Sequence, residues 1–118
     1  MAITARAVAR GLRVSPRKIR LIVNAIRGKG AEQALTMLSF MPQPSAKDVA
    51  KVVKSAASNA IDKASKLTPP QYLGFDDLKI TVAFADEGPT MKRFRPRSRG
   101  RVSPILKRSA HVTVVVAD

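Results

Sequence analysis

The sequence predicts an α/β (α+β) fold in which three helices pack on a small antiparallel three-stranded sheet, with a long protruding β-hairpin. Three observations carry this expectation. Aliphatic residues recur at helical spacing in three separate stretches before residue 65. Strand-like runs stand at residues 2–10, at 78–85 and at the end of the chain. Between the last two lies "MKRFRPRSRGRVSPILKR", residues 91–108, which holds eight Lys or Arg and no acid.

In chain order, "AITARAVAR" (2–10) alternates in part. Ala5, Ala7 and Ala9 fall on one face and Arg6, Val8 and Arg10 on the other, so small residues meet a partner and cations face solvent or ligand. The first helix has clear punctuation. Ser15 suits its cap, Pro16 its first position and Gly28 its left-handed exit. Ile19, Ile22, Val23 and Ile26 make its buried stripe, while Arg17, Arg20, Asn24 and Arg27 make a second, cationic one. An exposed helix usually mixes charge signs, and this face carries no acid, so it reads as a ligand-facing surface.

The second helix, "GAEQALTMLSFM", has a stripe of Ala31, Ala34, Leu35 and Leu38 and stops at Pro42. Its Met37, Phe40 and Met41 read as core filler. For the third helix, Ser45 and Asp48 fit a capping box. Val49, Val52, Val53, Ala56, Ala57, Ala60, Ile61 and Ala64 hold its stripe, with Lys47, Lys51 and Lys54 outside. "TPPQYLGFDD" breaks the pattern as a linker. In the strand that follows, Leu78, Ile80, Val82 and Phe84 alternate with Lys79, Thr81, Ala83 and Ala85. The last strand sets Val112, Val114 and Val116 on one face.

The basic stretch joins these two strands, and the shortest connection is antiparallel. With the turn near "RFRPR", each arm runs about sixteen residues, or roughly 50 Å at ~3.3 Å per residue. A compact body of this length has a radius of gyration of about 13 to 14 Å, so the outer hairpin stands clear of it. The 118 residues are thus read as one domain (1–118) with an extended hairpin at about 86–108. A flexible basic loop is the alternative.

Charge sets the function class. With 22 basic against 8 acidic residues the formal net charge is +14. Such a chain repels itself and attracts polyanions, nucleic acid first and an anionic membrane second. No apolar run approaches a membrane span, and no cationic segment has a continuous apolar face with aromatic anchors. There is no cysteine, which suits a reducing compartment. The Arg-rich start, free of acid up to Glu32, superficially resembles a transit peptide but carries a strand-like segment and a capped helix.

Catalysis finds little support. His111 is the single histidine, on a strand. The pairs Asp76–Asp77 and Asp86–Glu87 are adjacent residues that point apart, and no phosphate-loop spacing is present. The sequence is read as no enzyme, with no cofactor and no metal. The candidate nucleic-acid contacts are Arg6, Arg10, Arg13, Arg17, Lys18, Arg20, Arg27, Lys29, Lys92, Arg93, Arg95, Arg97, Arg99, Arg101, Lys107 and Arg108. Arginine dominates the hairpin, and its planar fork matches phosphate in a way an ammonium does not. Phe94 is the one aromatic there, so phosphates and nucleic-acid shape, more than base stacking, carry recognition.

"VSPRKIRLIVNAIRGK", "KSAASNA" and "DEGPTMKRFRPRSRGRVSPILKRSAHVTVVV" resemble, in order and over essentially the whole chain, the L-twenty-two family of large-subunit ribosomal proteins, bacterial type. The resemblance implies a small α/β body on large-subunit ribosomal RNA and a hairpin reaching inward to line the peptide exit tunnel. It also implies a part in subunit assembly, in macrolide sensitivity and in some nascent-chain stalling. By motif, Met91, Lys92, Arg93 and Phe94 would lie at the tunnel-lining tip. The implied partners are large-subunit RNA, neighbouring ribosomal proteins and the nascent peptide, with no membrane and no homo-oligomer, in the cytoplasmic ribosome. The rival reading is a DNA-architectural protein with basic β-arms, whose tip proline wedges between base steps.

Overall fold

The last strand of the chain becomes the centre of its sheet. In the computed structural model, which describes residues 3–118, the order is β1 (Thr4–Leu12), α1 (Pro16–Ile26), α2 (Ala31–Phe40), α3 (Ala46–Ser65), β2 (Lys79–Glu87), β3 (Met91–Pro96), β4 (Val102–Lys107) and β5 (Ala110–Ala117). Short 3₁₀ turns lie at Phe75–Asp77 and Ser98–Gly100. One antiparallel sheet runs β1–β5–β2, and β3 and β4 pair only with each other in a second, two-stranded one. Ala2, assigned above to the first strand, lies outside the described residues.

β5 is central because it alternates so cleanly. Val112, Val114 and Val116 are fully buried and face the helices. β1 lies on one side of it with Ala7 buried and Ala5 and Ala9 packed against the core. The three helices cover that same face. α3 lies along β1 and β5, and its Ala56, Ala57, Ala60 and Ala64 have no exposed surface. Four alanines let the helix approach closely, where larger side chains would hold it off. α1 packs on β2 through Ile19, Ile22, Val23 and Ile26, all buried.

Four expectations are corrected. In β2 the buried residues are Ile80, Ala83 and Ala85, with Leu78 buried just before it, while Val82 is 43% and Phe84 39% exposed. The register explains it. Ile80 pairs with Val116 and Val82 with Val115, so Thr81 is an extra residue that flips every later side chain to the other face. Phe40 is 83% exposed and not core filler, because it lies off the stripe of Ala31, Ala34 and Leu38. Ser45 makes no side-chain cap, and no capping box with Asp48 forms. Its backbone is already helical (φ −69°, ψ −12°), whereas a capping side chain works from an extended residue. Finally, the hairpin turn lies at Arg97–Arg101, beyond the expected "RFRPR", with Met91 paired to Lys107 at the base of the arm.

The protrusion itself is present. Principal extents are 71 × 26 × 15 Å and the radius of gyration is 17.8 Å. That exceeds the roughly 13 to 14 Å of a compact chain of this length. Every residue from Lys92 to Val102 is exposed.

Candidate nucleic-acid interface

The arm has two unlike faces. Opposite residues on paired strands share a face, and alternate residues change face. The pairs Met91–Lys107, Arg93–Ile105 and Arg95–Ser103 therefore lie on one side, and Lys92–Leu106, Phe94–Pro104 and Pro96–Val102 on the other. The first side is cationic through Arg93, Arg95 and Lys107, over half-buried Met91, Ser103 and Ile105. The second is largely apolar and open, with Phe94 70% exposed and Val102 and Leu106 also exposed. The turn adds Arg97, Arg99 and Arg101. Arg97 N–H donates to Arg101 O, and Arg99 (φ 60°) and Gly100 (φ 71°) take the left-handed turn. No proline occupies the apex, so the wedge expected of a DNA-bending arm is missing from it. The four residues assigned to the tip stand on β3, split between faces: Met91 and Arg93 on the cationic side, Lys92 and Phe94 on the apolar one.

The body carries the charge onward. Arg17, Arg20 and Asn24 on α1, with Arg27 at its end, are exposed on one side, and Lys18 is exposed on another. Arg20 and Arg27 also serve the fold. Arg20 Nε donates to Ala85 O at 3.0 Å, and Arg27 donates to Ala83 O from Nε at 3.1 Å and Nη2 at 2.6 Å. Arg27 Nη2 reaches Asn24 Oδ1 at 2.8 Å as well. These carbonyls belong to β2, an edge strand. The opposite edge is treated alike: Asn59 Nδ2 donates to Arg6 O at 3.1 Å and Lys63 Nζ to Thr4 O at 2.9 Å. Helix side chains thus occupy backbone acceptors that would otherwise invite another strand. A guanidinium has five N–H donors, so both arginines retain N–H groups that these bonds do not use.

α1 runs antiparallel to β2, and its cations follow the edge of that strand. Lys29 lies at the start of β2, where its carbonyl accepts from Ile80 N, followed by Arg27 and Arg20. Arg13 and Lys18 then meet Lys107 and Arg108 in one cleft. Arg93 and Arg95 lead on to the turn. Arg6 and Arg10 stand apart on the outer face of the sheet, beside exposed Val8, Val82 and Phe84. Among the described residues the one ion pair is Lys66–Asp62, so none of the candidate contacts is neutralised by an acid.

His111 and Asp77 each hold a backbone N–H. His111 Nδ1 accepts from Gly11 N–H at 3.0 Å, in a bulge where Gly11 has φ 72°. Asp77 Oδ2 accepts from Gly74 N–H at 2.9 Å, closing a turn. Among the described residues no group of His, Asp or Glu could hold a metal ion. Among the same residues no helix is long and apolar enough to cross a membrane. Sequence reasoning missed the joint at the base of the arm. There Gly88 N–H donates to Ser109 O at 2.9 Å and Ser109 Oγ to Pro89 O at 2.7 Å. A Cβ on Gly88 would collide with Ser109 Oγ and meet His111 Cε1 at 3.1 Å. The signal was the Gly-Pro pair between two strands.

Replacing Arg20 and Arg27 together by alanine should cost about 1 to 3 kcal/mol of stability, since three hydrogen bonds from a charged donor are lost at a half-exposed edge. Arg17 makes no such bond, and its replacement should leave the melting temperature within about 1 °C. Thermal unfolding of the two variants checks the contrast. Equal losses would mean the edge contacts contribute nothing.

Comparison with known proteins agrees with this geometry. Residues 7–117 match the family model described as ribosomal protein L22p/L17e. Proteins named large ribosomal subunit protein uL22 from Dehalococcoides mccartyi strains 195, BAV1 and CBDB1 are each 50% identical over 113 residues, covering 96% of this chain and 97% of theirs. Matched along nearly its whole length, and folded as that resemblance implies, the chain belongs to the ribosomal protein L22p/L17e family, whose members are structural and not enzymes.

Proposed function

We propose that the chain is a structural constituent of the large ribosomal subunit that binds and bridges large-subunit ribosomal RNA, supports subunit assembly and lines the peptide exit tunnel with its hairpin. The observation that carries this is the two-faced arm standing clear of the body. Arg93, Arg95 and Lys107 lie along one side and the charge continues onto α1, which suits a ribbon laid against RNA. The apolar side, with Phe94, Val102 and Leu106 uncovered, suits a wall past which a peptide moves. Such a ribbon is unstable alone: two strands give little to bury, and its like charges repel. RNA surrounding it removes both difficulties. The partners on this reading are large-subunit RNA, neighbouring ribosomal proteins and the nascent peptide, in the cytoplasmic ribosome.

The test compares the protein's binding to large-subunit RNA and to duplex DNA in one competition gel at about 150 mM salt, where non-specific phosphate contacts are already weakened. Retention on RNA is expected, as is co-sedimentation with large subunits through a high-salt wash. Preferential retention on DNA would overturn the reading in favour of a DNA-architectural arm. For the tunnel wall, a photo-crosslinking residue at Phe94 should capture a stalled nascent chain, and one at Arg93, on the opposite face, should capture RNA. Peptide capture at Arg93 alone would reverse the assignment of faces.

A further inference from the structure

The strand ladder is interrupted where the arm leaves the body. Residues 88–90 and 108–109 belong to no strand. Across this break the arm is held by Gly88 N–H to Ser109 O and by Ser109 Oγ to Pro89 O. Beside it opens a cleft of about 770 Å³ lined by Arg13, Ser15, Lys18, Leu106, Lys107 and Arg108. At about 30 Å³ per water in the liquid, that is room for a short run of hydrated phosphates.

Two features of this cleft point to an anionic occupant. Its four cations span the break: Arg13 and Lys18 from the body, Lys107 from the arm and Arg108 from the break itself. No acid lines it, and none of the four is in an ion pair. The start of α1 forms part of the wall, with no acidic residue in its first turn and no side-chain cap. That end of the helix adds its own positive pole to the same space.

We propose that this cleft is a binding site for a stretch of RNA phosphodiester backbone whose occupation locks the direction of the arm relative to the body. The inference rests on the RNA-binding reading above and deepens it. The physical reason is a change of sign. With the cleft empty, body and arm cations repel across a joint tied by two hydrogen bonds, so the arm samples a range of directions. A run of phosphates between them turns that repulsion into attraction on both sides, and one direction is selected. The RNA therefore sets the angle at which the arm is presented.

The chain has no cysteine, so a label pair is easily introduced. Nitroxides on Ser58→Cys, exposed on α3, and Ser98→Cys, at the turn, report the body-to-tip distance by pulsed electron spin resonance. The probe is a large-subunit ribosomal RNA transcript. The free protein should give a broad distance distribution, and the RNA-bound protein a narrow one. In R13Q/K18Q/K107Q/R108Q, RNA at saturating concentration should leave the distribution broad. The salt dependence of log K should also fall by about 3, at ~0.7 to 0.9 per phosphate contact. R95Q/R97Q/R99Q/R101Q, altered only on the outer arm, should lose a similar slope yet still narrow.

Narrowing of the cleft variant to the wild-type width would overturn the proposal, as would an unchanged salt slope or a free protein already narrow. Those results leave RNA binding itself intact. Failure of the wild-type protein to prefer the transcript over duplex DNA would instead remove the reading beneath it. K107Q/R108Q alone, both residues exposed and outside the core, keeps the test available should the fourfold variant not fold, with about half the slope change expected.

Discussion

Replacing Arg93, Arg95, Arg97, Arg99 and Arg101 together by glutamine should weaken binding to large-subunit RNA on the order of 10³-fold at ~0.15 M salt, with no change in the melting temperature of the free protein. The binding term follows from counterion release. Each phosphate contact contributes about 0.7 to 0.9 to the slope of log K against log salt, which at ~0.15 M is a factor of roughly four. Five such factors multiply to about a thousand, and the slope itself should fall by about 3.5 to 4.5. The stability term follows from burial. All five side chains are exposed, and the β3–β4 arm touches none of the buried core. Removing like charges from a ribbon that repels itself should, if anything, favour its strand pairing. Filter binding across a salt series, paired with thermal unfolding, checks both halves. A loss below tenfold would mean these arginines face solvent in the complex.

Much of this architecture was legible before the fold was known, for identifiable reasons. The helices announce themselves because Ile19, Ile22, Val23 and Ile26, and then Val49 to Ala64, repeat at the helical period over several turns. Pro16 and Gly28 mark the ends of α1 as expected, with Gly28 at φ 80°. The hairpin is legible from length alone, since two flanking strands and a long basic insert cannot fold back into a body of this size. What escaped depends on single-residue register. Thr81 is an ordinary strand residue, and nothing in its identity announces a bulge, yet it decides that Ala83 and Ala85 go inward while Val82 and Phe84 go out.

The two faces of the arm escaped for the same reason. Placing the turn near "RFRPR" in place of Arg97–Arg101 changes which residues pair, and so hides that Phe94, Pro96, Val102, Pro104 and Leu106 share a side. The double duty of Arg20 and Arg27 needed more still. Their cationic stripe is visible in the sequence, but the β2 carbonyls they hold belong to residues more than fifty positions away. The bulge and the edge contacts are long-range pairings, which local periodicity does not encode. They also alter the meaning of the site. Part of the basic surface is built into the sheet edge, so the fold fixes the direction in which α1 presents its charge.

That coupling makes Ile22→Ala the converse experiment. Ile22 is 1% exposed on the face of α1 that packs against β2. Its truncation removes three carbons from a filled interior, at an expected cost of about 2 to 5 kcal/mol. For a domain whose whole stability is typically 5 to 15 kcal/mol, this lowers the melting temperature by roughly 10 to 20 °C. RNA affinity, measured where the variant is still folded, should nevertheless stay within about threefold. Ile19, Val23 and Ile26 still seat the helix, and Arg20 and Arg27 still tie it to the edge of β2. RNA at about a hundred times its Kd should then restore some 2.7 kcal/mol by mass action, whereas the five-arginine variant gains far less from the same concentration. The two variants thus separate two effects: a loss of folding that RNA repairs, and a loss of binding that folding does not. Should Ile22→Ala lose affinity in proportion to its stability, the cations of α1 would be positioned by core packing alone, and the hydrogen bonds to Ala83 and Ala85 would be incidental.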